Sequence, residues 1–176
     1  YRPAPNYVVD EIAVFGERVY LGGRFTRING KPRVGFAVTR LPRVSIADAS
    51  IEEGDAGTRQ LTFTASLDQA TLESVTMKLS TSDVDATAGS DYTALSNQSF
   101  NIPTGQTSRT FTVTVNGDHL PEASERFDVT LSSQQGAFVG DGVATGTITD
   151  DDAHALVCAD LFETDGDVLA TAVLNG

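Results

Sequence analysis

The chain has 176 residues, 40% of them hydrophobic, and a formal net charge of −12, enough for one full domain with a packed core plus a smaller piece. No run reaches the ~18–20 apolar residues of a membrane-spanning helix, and the single cysteine, Cys158, excludes an internal disulfide. Residues 1–43 hold eight of the twelve basic residues and three of the 24 acids, so the boundary near Leu41-Pro42-Arg43 separates a basic unit from an acidic one. An acidic body argues against nucleic acid as partner and for cations.

Residues 1–7, with Pro3 and Pro5, read as an extended linker, and a start at Tyr1 reads as part of a longer protein. A compact β-meander follows: Val8 to Phe15, Arg18 to Leu21, Phe25 to Ile28, the hairpin signal Asn29-Gly30, and Gly35 to Arg40. The run Val19-Tyr20-Leu21-Gly22-Gly23-Arg24-Phe25-Thr26-Arg27-Ile28-Asn29-Gly30, then Phe36-Ala37-Val38, resembles the repeat of a family of bacterial β-propellers. One repeat cannot close a propeller, so residues 1–42 are either the last repeat of an upstream array or a local capping meander.

From Arg43 the pattern has period two. Val44 and Ile46 open it; Leu61, Phe63, Ala65 and Leu67 alternate with Thr62, Thr64 and Ser66; Val75, Met77 and Leu79 follow. Then come Phe100 and Ile102, Phe111 to Val115, Phe127 to Leu131, and Ala144 to Ile148. Seven short strands, each with one apolar and one Thr/Ser face, predict an all-β fold, a seven-stranded immunoglobulin-like antiparallel sandwich over residues 43–152. Met77 and the phenylalanines are expected in its core.

Alternating strand directions place the ends of the first, third, fifth and seventh strands at one pole. Twelve acids follow those ends: Glu52, Glu53, Asp55, Asp83, Asp85, Asp91, Asp118, Glu122, Glu125, Asp150, Asp151 and Asp152. Adjacent carboxylates repel by roughly 1 kcal/mol per pair even in water. The triplet Asp150-Asp151-Asp152 is therefore either a solvated strand end or one wall of a cation site. Calcium suits such a pole because it takes about 6–8 oxygen ligands in irregular geometry, backbone carbonyls such as that of Leu120 included.

Four motifs carry a second resemblance: Glu53-Gly54-Asp55; Thr81-Ser82-Asp83 with Ala88-Gly89-Ser90-Asp91-Tyr92; Gly117-Asp118-His119-Leu120-Pro121-Glu122-Ala123-Ser124-Glu125; and Thr147-Ile148-Thr149-Asp150-Asp151-Asp152. In this order they resemble the Calx-β domain, the calcium-binding sandwich of the sodium–calcium exchanger that also occurs in bacterial surface and secreted proteins. The resemblance implies Ca2+ held by Glu53, Asp83, Asp118, Glu122, Glu125, Asp150, Asp151 and Asp152, with Leu120 through its carbonyl. Gly117 stands where the exchanger's domain has another aspartate. Asp91 is expected to cap its loop and Tyr92 to pack beneath it. Extracellular or cell-surface placement in a bacterium, beside other domains of a parent chain, follows from the resemblance alone.

Residues 153–176 form an apolar and acidic tail in which Asp165-Gly166-Asp167 reads as a plain turn. His119 and His154 stand isolated, no nucleophile or phosphate-loop motif occurs, and 7% aromatic content offers no sugar platform, so no enzyme is expected. The leading function is a calcium-binding structural or interaction module whose loop pole the ion stiffens. The rival is a metal-independent adhesion sandwich whose acidic pole meets a basic protein or cell-surface partner.

Overall fold

The computed structural model describes residues 8–28 and 30–152. The expected linker, Asn29, and the tail with Cys158, His154 and Asp165-Gly166-Asp167 lie outside the described residues.

Two sets of strands form, each around its own core. In the first, β1 (Val8–Phe15), β2 (Arg18–Arg24) and β5 (Phe36–Arg40) make an antiparallel sheet in the order β1-β2-β5. The chain between them folds over as the two-residue strands β3 (Arg27–Ile28) and β4 (Lys31–Pro32). The segment expected as a strand from Phe25 is shorter because Gly35 donates to the Phe25 carbonyl at 3.0 Å and Gly23 to the Gly35 carbonyl at 3.0 Å, bending the chain there. Val19, Leu21, Phe25, Ile28 and Ala37 form this small core. On the same face of the sheet Ile12 and Val14, opposite Leu21 and Val19, stay largely exposed.

The second set is the sandwich. Its strands are β6 (Arg43–Ala47), β7 (Ala49–Glu52), β8 (Gly57–Leu67), β9 (Val75–Asp83), β10 (Gln98–Ile102), β11 (Ser108–Gly117), β12 (Glu125–Gln135), β13 (Phe138–Asp141) and β14 (Val143–Thr149). One sheet runs β10-β9-β12-β14-β7 and the other β11-β8-β6-β13. Two short strands therefore join the seven expected. The chain crosses from sheet to sheet at Asp48, between β6 and β7, and at Gly142, between β13 and β14. Asp48 steadies its crossing by accepting from the Thr145 amide at 2.8 Å. Both added strands are edge strands that pair in parallel with a single neighbour, β7 with β14 and β13 with β6, so not every pairing is antiparallel.

The period-two residues meet between the sheets. Phe63, Val75, Ile102, Val113, Val115, Phe127 and Val129 are fully buried, with Met77 and Leu79 beside them. Tyr92 stacks on Phe127 at 4.2 Å between centroids, and Phe63 meets Phe127 edge-on at 6.1 Å. Gly146 lies opposite Phe127 because a Cβ there would strike the ring. Where the two units join, contacts are polar: Arg40 pairs with Asp68 at 2.7 Å, Arg43 with Glu17 at 3.5 Å, and Gln69 donates to the Arg40 carbonyl at 3.3 Å.

Candidate metal centre

Strands β7, β9, β11 and β14 all finish at one end of the sandwich, where β12 begins, as the antiparallel and parallel registers require. Their four following loops meet there. The Glu53 amide donates to the Thr149 carbonyl at 3.1 Å, continuing the β7–β14 ladder to the last residue before the aspartate triplet. Gly54 then turns with φ +79°, a conformation that favours glycine, and its amide donates to Asp151 Oδ1 at 2.8 Å. Arg59 on β8 donates to the Glu52 carbonyl at 2.9 Å and stands 3.9 Å from Asp151 Oδ2.

The triplet does three different things. Asp150 accepts from the Glu122 amide through Oδ2 and from the Asp152 amide through Oδ1, both at 3.0 Å, and so ties the β11–β12 loop to the end of β14. Asp151 faces Gly54 and Arg59. Asp152 turns inward: its side chain is 6% exposed, and its Oδ2 is buried without a hydrogen-bond partner. A buried carboxylate oxygen with no donor is costly unless a cation faces it.

One carboxylate oxygen from each of Glu53, Asp150 and Asp152 lies within 4.8 Å of the others. Glu53 is itself buried. Burial, and then the charges of Asp118, Asp150, Glu122 and Asp152, push its carboxyl from 4.5 up to about 7. Burial also raises Asp152, helped by Asp55 and Asp150, while His119 opposes the shift. Asp118 Oδ1 accepts from the Leu120 amide at 2.7 Å, closing a tight turn over residues 118–120.

The remaining expected residues form a neighbouring group. Asp83 accepts from the Tyr92 hydroxyl at 2.5 Å and from the Ala88 amide at 3.0 Å. Asp91 accepts from the Thr87 amide at 2.7 Å, capping its loop as expected, and Tyr92 is fully buried beneath it. Glu125 turns to Asp91: burial first, then a hydrogen bond to Asp91 and the charges of Asp91, Glu122 and Asp85, raise its carboxyl to about 7. Arg126 neutralises Asp85 at 2.9 Å. Glu122, which acts on both Glu53 and Glu125, lies between the two groups.

Two residues outside the expected ligand set come into the site. Asp55 and His119 each place a donor atom within 4.8 Å of Asp152 and of one another. His119, on the β11–β12 loop, meets Asp55 of the β7–β8 loop and Asp152 of the segment after β14. Gly117 also gains a reason. A Cβ at this position would collide with the Gly54 and Glu53 carbonyl oxygens, so these loops touch only because residue 117 has no side chain.

An immunoglobulin-like sandwich with a carboxylate pole and a partnerless buried aspartate oxygen defines a metal-binding β-domain, and the all-oxygen group of Glu53, Asp150 and Asp152 fits a hard cation. The model of the Calx-beta domain family matches residues 42–152, and the chain belongs to that family. It is a calcium-binding, non-catalytic module. Among solved structures, the apo-form Calx CBD1 domain is 21% identical with a TM-score of 0.53, the match covering 64% of this chain and 100% of that one. CBD12 from CALX1.2 is 21% identical at a TM-score of 0.55, covering 62% of this chain and 46% of that one. The Calx CBD2 domain is 12% identical at 0.53, covering 62% and 86%. At these identities the likeness speaks for the fold. Comparison with curated proteins gives no match.

Proposed function

We infer that calcium at this pole acts as a strut that fixes the four loops and, through the triplet, the direction in which the chain leaves β14. The observation that carries this reading is the convergence of Glu53, Asp150 and Asp152, whose buried Oδ2 lacks a hydrogen-bond partner, from two chain-distant segments. Bound calcium supplies positive charge and coordination positions for oxygen. Glu53, Asp118, Glu122, Asp150 and Asp152 are the proposed ligands of one group, with the Leu120 carbonyl on the same loop. Asp83 and Glu125 belong to the adjoining group, where Glu122 links them to the first. Asp151 contributes by holding the Gly54 turn in place while remaining available as a ligand.

The same reading places the domain in a larger extracellular or cell-surface protein, bacterial in the form the sequence resembles, with further domains as neighbours. The N-terminal unit is read as one propeller-like repeat; the exposed Ile12, Val14 and Phe15 of β1, uncovered by the rest of the unit, support a need for a neighbour.

The test is thermal unfolding of the full chain in EDTA, in calcium and in magnesium. At 100 times the dissociation constant one calcium site adds about 2.7 kcal/mol. A rise of several degrees with calcium and little with magnesium supports the strut. No shift over the millimolar range refutes it and leaves the pole as a solvated or partner-binding face.

A further inference from the structure

Asp55, His119 and Asp152 come from the loops after β7, β11 and β14, and one donor atom of each lies within 4.8 Å of the other two. The donor chemistry differs from that of the adjoining group. Glu53, Asp150 and Asp152 offer oxygen alone, as calcium prefers, whereas an imidazole among carboxylates suits zinc and its transition-metal neighbours. His119 Nδ1 stands 4.0 Å from Asp152 Oδ1, too far for a hydrogen bond. Two donors at about 2.05 Å on a tetrahedral zinc ion are roughly 3.3 Å apart, so the pair closes on an ion by less than an ångström.

A second observation points the same way. The Asp152 side chain is 6% exposed, yet its Oδ2 has no hydrogen-bond partner while its Oδ1 faces His119. Asp152 is also the residue common to both triads. A carboxylate shared by two groups in this way can bridge two ions through its two oxygens. The backbone presenting His119 is already set, because Asp118 holds the Leu120 amide at 2.7 Å and Pro121 fixes the next φ. Asp55 and His119 are exposed, which gives an ion and a completing water a way in.

We propose that the acidic pole carries a separate site for a zinc-like divalent transition-metal ion, formed by Asp55, His119 and Asp152 and joined to the calcium group through the Asp152 carboxylate. The site goes beyond the calcium reading and shares only Asp152 with it, so either can stand without the other.

Zinc chloride titrated calorimetrically into the full chain, once in excess calcium and once calcium-free after EDTA treatment and dialysis, tests the proposal. One equivalent is expected to bind in both conditions. His119→Gln and Asp55→Asn are each expected to weaken zinc about tenfold or more while the calcium-induced rise in Tm persists. Asp152→Asn is expected to weaken both ions. His154→Gln, a change in the tail, is expected to leave zinc binding intact. The proposal is overturned if His119→Gln binds zinc like the parent chain, if His154→Gln abolishes binding, or if excess calcium displaces the zinc. If calcium produces no Tm shift but zinc binding still depends on His119, the strut falls and this site remains.

Discussion

Removing the charge of Glu53 should stabilise the calcium-free protein, the opposite of what truncating a buried polar group usually does. The buried Glu53 carboxyl is raised from 4.5 to about 7 by burial and four neighbouring carboxylates. An acid whose folded pKa exceeds its unfolded value binds more protons folded than unfolded between the two, so stability falls as pH rises through that window. Below about 4.5 Glu53 is protonated in both states and carries no penalty; above about 7 the penalty is complete. The full displacement corresponds to a ceiling of about 3 kcal/mol, and solvent reaching the loop pole reduces this to about 1–2 kcal/mol. Glu53→Gln keeps the shape and removes the charge. In EDTA at pH 8 it should therefore unfold about 4–8 °C above the parent chain, and at pH 4.5 the two should coincide. In saturating calcium the order should reverse, since Glu53 is a proposed ligand of the ion. Scanning calorimetry with near-UV circular dichroism of the tyrosines reads this. A Glu53→Gln protein less stable than the parent in EDTA at pH 8, or offset by the same amount at both pH values, would refute the reasoning.

Two further changes probe what holds the pole in shape. Tyr92→Phe keeps the stack on Phe127 but removes the donor to Asp83, and should cost about 1–2 kcal/mol in denaturant titrations in EDTA. Gly117→Ala drives a methyl into the Gly54 and Glu53 carbonyls and should cost about 1–3 kcal/mol. It should also weaken calcium binding in calorimetric titration, because the two loops can no longer touch; unchanged stability and affinity together would show that the loops move apart freely.

The strands were legible where burial on one face imposes period two. Leu61, Phe63, Ala65 and Leu67 all face inward, and Thr62, Thr64 and Ser66 all face out. From those strands the pole followed, because alternation of direction is a property of the chain and not of any side chain. The sandwich strands that escaped, β7 and β13, are short edges with little buried surface. Their place depends on the chain crossing at Asp48 and Gly142, which neighbouring strands decide. Within the pole, sequence supplied the carboxylates but not their directions. Asp83 turns to the Tyr92 hydroxyl and Asp151 to the Gly54 amide because a donor stands beside each in the folded chain, and Glu125 turns to Asp91, an acceptor that favours its protonated form. His119 was unreadable for the same reason: both its neighbours come from loops more than thirty residues away in sequence.

Those donors also explain how so many acids share one end of a small domain. Backbone amides satisfy Asp118, Asp150 and Asp151, a tyrosine hydroxyl and an amide satisfy Asp83, and Arg126 balances Asp85. These bonds are made within the fold itself, some between segments far apart in sequence, and need no ion. What the fold leaves uncompensated is narrower: Glu53 and Glu125, whose carboxyls burial and neighbouring acids raise to about 7, and Asp152, with one buried oxygen unpaired. A cation bound here therefore neutralises a remainder and not the whole pole. Calcium held by Glu53 and Glu125, as proposed, displaces protons from both near neutral pH, which gives calcium affinity and the pH dependence of the free protein a common origin.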